Sequence, residues 1–67
     1  MKTAKEMFEN LGWKQKQNDD VAIIYERGFR SIWFLRGSKT ITCSCHMYIE
    51  WHKAIHQQVI ELGWINE

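Results

Sequence analysis

Three turn signals fall so close together between Asn18 and Ser38 that this part of the chain has room only for antiparallel strands. Asn18-Asp19-Asp20 reads as a turn because Asn and Asp side chains hydrogen-bond to their own backbone. Arg27-Gly28 and Gly37-Ser38 turn the chain twice more. A parallel neighbour would need a crossover of about a dozen residues or more, and none of these connections is that long. The segments between the turns read as four strands. Trp13–Gln17 is polar, whereas Val21–Glu26 and Phe29–Arg36 are rich in branched and aromatic residues. In Thr40–Cys45, Ile41, Cys43 and Cys45 share one face, and Thr40, Thr42 and Ser44 the other. The expected sheet is a four-stranded meander.

The period changes on both sides of it. Thr3-Ala4-Lys5-Glu6 has the form of a capping box, in which Thr3 and Glu6 satisfy each other's end of a helix. Ala4, Met7, Phe8 and Leu11 then make one apolar stripe, so a helix is expected over Thr3 to Leu11. From about Tyr48 a second stripe runs through His52, Ile55, Val59 and Leu62. Both stripes stop at the same tripeptide, Leu11-Gly12-Trp13 and Leu62-Gly63-Trp64. Glycine takes the left-handed conformation that closes a helix, and the apolar residue after it packs back on the last turn. The expected fold is a single α+β domain over residues 1–67: a short N-terminal helix, the meander, and a C-terminal helix, with both helices on one face of the sheet.

A chain of 67 residues buries only about 60% of its unfolded surface, so its core must be rich in large side chains. The sequence supplies them, being 45% hydrophobic with four tryptophans. Net charge is +1 but unevenly spread: residues 1–26 carry −1, residues 27–49 carry +4 without a single acid, and residues 50–67 carry −2. The charged opening Met1–Glu6 does not lead into an apolar run, so it does not read as a signal peptide. The longest apolar stretches, Val21–Tyr25 and Ile32–Leu35, are far too short to span a bilayer. With two cysteines one residue apart, the expectation is a cytoplasmic protein with reduced thiols.

The two ends carry a resemblance. The opening from Met1 to Trp13 (MKTAKEMFENLGW) resembles that of a group of small proteins of unassigned activity encoded by phages and prophages of Gram-positive bacteria. The segment Lys53–Trp64 (KAIHQQVIELGW) resembles their closing helix, while the middle agrees only in pattern. The resemblance implies a phage accessory protein and supplies no catalytic residues. Members of that group tend to have Leu where this chain has His52 and Asn where it has His56, and they usually lack the cysteine pair.

Those departures bear on the one metal-like constellation. Cys43 and Cys45 share a strand face, and His52 and His56 share a helix face, giving the four N/S donors of a tetrahedral zinc site. Structural zinc pairs have two to four residues between cysteines, and here there is one. Packed thiols, with His52 half in the core, are the simpler expectation, and His46 as a further nitrogen does little to change it. No cofactor is expected. Nor is an enzyme: Cys45 and His46 lie on opposite sides of a strand, no glycine-rich phosphate loop exists, and Asp19-Asp20 is explained by its turn.

The third strand is apolar on both faces, and only one face can meet the helices. If Ile32 and Phe34 point inward with Ile41 and Cys43, Trp33 and Leu35 lie on the open face, near Arg27 and Lys39. An exposed aromatic with arginines, here Trp33 and Leu35 with Arg27, Arg36 and Lys39, has the composition of a protein-binding hot spot. The partner would be a host or phage protein, or a second copy of the chain joined through the sheet. The alternative is a single-stranded nucleic-acid binder, with Arg27, Arg30, Arg36 and Lys39 on phosphates and Trp33 and Tyr25 stacked on bases. A net charge of only +1 argues against it.

Overall fold

The computed structural model describes residues 2–44 and 46–65, and its turns divide the chain as the sequence implies. In order along the chain are α1 (Ala4–Asn10), β1 (Lys14–Asn18), β2 (Ala22–Arg27), β3 (Arg30–Leu35), β4 (Thr40–Cys43) and α2 (His52–Glu61). The strands form one antiparallel sheet in the order β1-β2-β3-β4. This is the expected α+β meander, with α1 and α2 both packed on one face.

α1 is closed at both ends by its own sequence. The Thr3 hydroxyl accepts from the Glu6 amide at 3.2 Å, and the Glu6 carboxylate accepts from the Thr3 amide at 3.3 Å. At the other end Gly12 has φ 93°. Its amide bonds to the Glu9 carbonyl, and the Trp13 amide to that of Phe8. α2 repeats this closure with Gly63 at φ 76°, its amide on Ile60 and the Trp64 amide on Val59. Both Leu-Gly-Trp sites are therefore helix ends of one type. Glu61 ties the helices together, its carboxylate accepting from the Ala4 amide at 2.7 Å and from the Gln57 side chain at 2.9 Å. The acid sits at the positive end of α1, where free amide donors need a partner.

The strand limits differ from expectation in ways the turns explain. Trp13 belongs to the closure of α1 and is buried, so β1 starts at Lys14. A bulge at Lys16 separates the pairs Gln15–Tyr25 and Gln17–Ile24, which places Gln15 on the helix side and Gln17 on the other. Phe29 is not in a strand. It is the second residue of the two-residue hairpin loop after Gly28 (φ 63°), and it points fully into solvent. In the next turn the left-handed residue is Lys39 (φ 55°) rather than Gly37. β4 ends at Cys43; Cys45, the last residue of the expected strand, lies outside the described residues.

The core is a run of aromatic rings between sheet and helices. Phe8 of α1 stacks on Tyr25 with centroids 4.1 Å apart, and meets Phe34 and Trp13 edge to face. Trp13 meets Trp51 edge to face at 4.9 Å, and Trp51 meets Tyr48 in the same way. Trp64 packs near Phe34. Trp51, in a short 3₁₀ turn over Ile49–Trp51, is the buried anchor from which α2 starts. It turns the buried line of α2 toward Ala54 and Gln58, with Ile55, Val59 and Leu62 at its margin. His52, expected half in the core, is exposed, because Trp51 fills the space at the head of the helix.

Candidate interaction surface

Cross-strand pairing assigns each sheet residue to a face. Tyr25 pairs with Ile32, Ile23 with Phe34 and Phe34 with Ile41, and this is the side the helices cover. The opposite face carries a central row of Gln17, Ile24, Trp33 and Thr42. On one side of that row lie Lys14, Glu26 and Ser31, and on the other Ala22, Leu35 and Thr40. No helix among the described residues packs on this face. Ile32 and Phe34 point inward and Trp33 outward, which decides between the two registers the sequence left open.

Trp33 is 42% exposed at the middle of the uncovered face. Its cross-strand neighbour Ile24 is only 7% exposed, although it lies on the same side, so the flanking side chains shelter the sheet surface between them. Leu35 is half-buried beside Ala22. The rim is neutral or charge-balanced: Thr40, Thr42, Gln17 and the cross-strand pair Lys14–Glu26. A large aromatic whose neighbours in the row are uncharged presents apolar area at the centre of the face, with the only rim charges being the opposite pair Lys14–Glu26. Burying the rest of this ring, on the order of 100 Å², would contribute about 2–3 kcal/mol to association.

The cations expected beside it are elsewhere. Arg27 pairs with Arg30 at the hairpin end of the sheet, on the helix side. The Arg27 guanidinium lies against Gly12, where an added Cβ would stand 3.3 Å from Nε. The Arg30 guanidinium sits 5.3 Å from the Tyr48 ring centroid and 6.0 Å from that of Trp51. Arg36 is at the opposite end of the sheet and is engaged in the fold: Nε donates to the Asp19 carbonyl at 2.6 Å and Nη2 to the Asn18 side chain at 3.0 Å. Lys39 is exposed in the turn after β3. The basic segment is thus divided between the two ends of the sheet, and Trp33 lies between them on the other face.

Tyr25 is a core residue with no exposed surface, so it offers no face for a base. Its hydroxyl donates to Gln58 Oε1 at 2.6 Å and accepts from Gln15 Nε2 at 3.2 Å. Burial raises its pKa above the ordinary tyrosine value, and the nearby carboxylates of Glu61 and Glu9 add to the effect, against the Gln15 hydrogen bond. This buried polar chain was not visible in the sequence, because a glutamine at position 58 falls off the apolar stripe.

The described residues of the metal-like constellation are placed as follows. Cys43 is half-buried opposite Ile32 on the helix side of the sheet. His46 is exposed. The His52 ring bonds through Nδ1 with the Ile49 carbonyl. His52 and His56 line a groove of about 460 Å³ with Ile41, Met47, Ile55 and Val59. Among the described residues there is no cluster of three or more His, Cys, Asp or Glu that could hold a metal ion, and Cys45 lies outside them. No described helix is long and apolar enough to cross a membrane.

Sequence reasoning also missed apolar exposure away from the open face. Phe29, Ile49 and Val21 are all well exposed, the first at a hairpin tip and the others in connections. Alternation along Phe29–Arg36 would have placed Phe29 on the open face in line with Trp33 and Leu35, and the two-residue loop takes it out of the sheet altogether. No family model matches the chain, and neither does any curated protein or solved structure.

Proposed function

We propose that this chain is a small, non-enzymatic interaction module that docks a protein partner on the uncovered sheet face, with Trp33 as the anchor. The observation that carries the reading is the division of labour among the tryptophans. Trp13 and Trp51 are buried in the aromatic core and Trp64 is half-buried against it, whereas Trp33 packs no helix and stays 42% exposed. Interface hot spots are enriched in tryptophan near the centre of a patch with a polar rim. The resemblance of the two chain ends to phage and prophage proteins makes the partner a host or phage protein, met in the host cytoplasm. The docking residues are Trp33 and Leu35, with Thr40, Thr42 and Gln17 as rim. Arg27, Arg36 and Lys39 are not part of the site in this reading.

Affinity capture from host lysate with the wild-type chain and Trp33→Ala side by side tests the proposal. Species retained by the wild type should be lost from the variant, whose far-ultraviolet circular dichroism stays unchanged. Equal capture by both proteins would end the reading. A wild-type dimer in sedimentation that Trp33→Ala converts to monomer would assign the face to a second copy instead. Tryptophan fluorescence should remain flat when single-stranded DNA or RNA is added at low salt; a saturable, salt-sensitive change would favour the nucleic-acid alternative.

A further inference from the structure

The groove between β4 and α2 has a feature that the open sheet face lacks: it runs beside an unoccupied strand edge. β4 is the last strand of the sheet, and among the described residues no strand pairs its other side. The direction of its backbone groups follows from the pairing. Arg27 and Arg30 flank a two-residue loop and so form a hydrogen-bonded pair, which means that Ser31, Trp33 and Leu35 bond toward β4. The Ser44 amide on the Ser31 carbonyl at 3.0 Å agrees with this alternation. Thr42 and Thr40 therefore bond back to β3, and the N–H and C=O of Ile41 are aimed outward along the free edge. The Ile41 side chain, meanwhile, points to the helix side and lines the groove, together with Met47, Ile55 and Val59.

We propose that this edge and groove form a second binding site, which takes an extended peptide segment as a fifth strand. Residues opposite one another in an antiparallel pair share a face. The peptide residue that exchanges main-chain hydrogen bonds with Ile41 thus directs its side chain into the groove, whose volume of about 460 Å³ accommodates a leucine or a larger apolar group. The surroundings specify the charge. No acid lines the groove, residues 27–49 contain none, and Lys39 stands just before β4. An antiparallel segment that places its apolar residue at Ile41 carries the residue two positions later past the start of β4, beside the turn that holds Lys39, so the site favours an acidic side chain or a chain-terminal carboxylate there. The occupant is an extended segment of another protein with the pattern apolar–any–acidic. This site is separate from the Trp33 face and does not depend on it.

The test uses the full chain and a labelled eight-residue peptide with leucine at its centre, threonine on either side and aspartate two positions after the leucine. Binding should be saturable by fluorescence anisotropy, and hydrogen exchange at the Ile41 amide should slow at least tenfold in the complex. N-methylation of the peptide's leucine amide should weaken binding at least tenfold, since it removes a main-chain donor to the edge. Met47→Glu should do the same through the groove wall. Met47 is an exposed residue outside regular structure, so this substitution leaves the fold intact. Lys39→Glu should remove the preference for aspartate over asparagine in the peptide. Trp33→Ala should bind the peptide as the wild type does, which separates failure of this proposal from failure of the Trp33 reading. The proposal is overturned by absence of binding at millimolar peptide, by indifference to N-methylation, or by unchanged exchange at Ile41. A concentration-dependent dimer that itself protects the Ile41 amide would also overturn it, because the occupant would then be a second copy of β4.

Discussion

Tyr25 shows how one side chain holds a small core to a single arrangement. Its ring stacks on Phe8, and its hydroxyl bridges β1 and α2 through Gln15 and Gln58. Tyr25→Phe keeps the ring but leaves the buried Gln58 oxygen without its donor, which should cost about 1–3 kcal/mol in urea unfolding. The same residue contributes to the pH dependence on the alkaline side. Its folded pKa is raised above the ordinary value of 10.0, so below that value both states keep the proton and stability does not depend on it. As pH climbs above 10 the unfolded chain ionises first and stability falls. Unfolding curves at pH 9 and pH 11 should diverge for the wild type by more than for Tyr25→Phe. Asp19 works in the opposite direction. Hydrogen bonds from the Ala22 and Val21 amides, then from Gln17, lower its pKa, with the charge of Arg36 a smaller cause. Its contribution is present at neutral pH and lost as pH falls from the ordinary carboxylate value toward the depressed one. Asp19→Asn should flatten that acid limb.

Helix ends and turns were the most legible elements, because each is specified within a few residues. The capping box at Thr3 and both Leu-Gly-Trp closures appear as the sequence implied. Gly12→Ala forces a left-handed backbone on a residue with a Cβ and moves Arg27, so a loss of about 1–2 kcal/mol is expected. At Gly63 the space is open and only the backbone cost of about 1 kcal/mol remains, so thermal melts should rank Gly12→Ala below Gly63→Ala. What was not legible is how α2 meets the sheet. Periodicity identified a helix but placed Tyr48 and His52 on its buried line, and both are exposed. A Trp in a 3₁₀ turn and a Gln bonded to a buried Tyr decide the rotation, and neither follows from hydrophobic spacing. The candidate site divided in the same way. Alternation along β3 put Ile32 and Phe34 on one face and Trp33 and Leu35 on the other but left open which face is inward; the structure has Ile32 and Phe34 buried and Trp33 exposed. Arg27 does not group with it, because the hairpin puts that residue on the helix side at one end of the sheet, and Arg36 is tied to Asn18 and Asp19 at the other end.

At the scale of the whole molecule, the fold is an aromatic core under two helices, with one sheet face uncovered among the described residues and β1 and β4 as the edges of the sheet. Arg36 links the turn after β1 to the end of β3, and Arg36→Ala should loosen that corner by about 1 kcal/mol without altering the Trp33 face. The tryptophans are unequal: three pack in or against the core, and Trp33 is the one on the uncovered face, where the proposed partner would dock. Fluorine NMR of protein carrying 5-fluorotryptophan tests this docking most directly, since each ring reports separately. In the free protein the Trp33 resonance should show the largest solvent-isotope shift, and on titration with a partner captured from lysate it should move before the other three. A Trp33 signal that stays fixed while those of Trp13, Trp51 or Trp64 move would show that the partner docks elsewhere than on the Trp33 face.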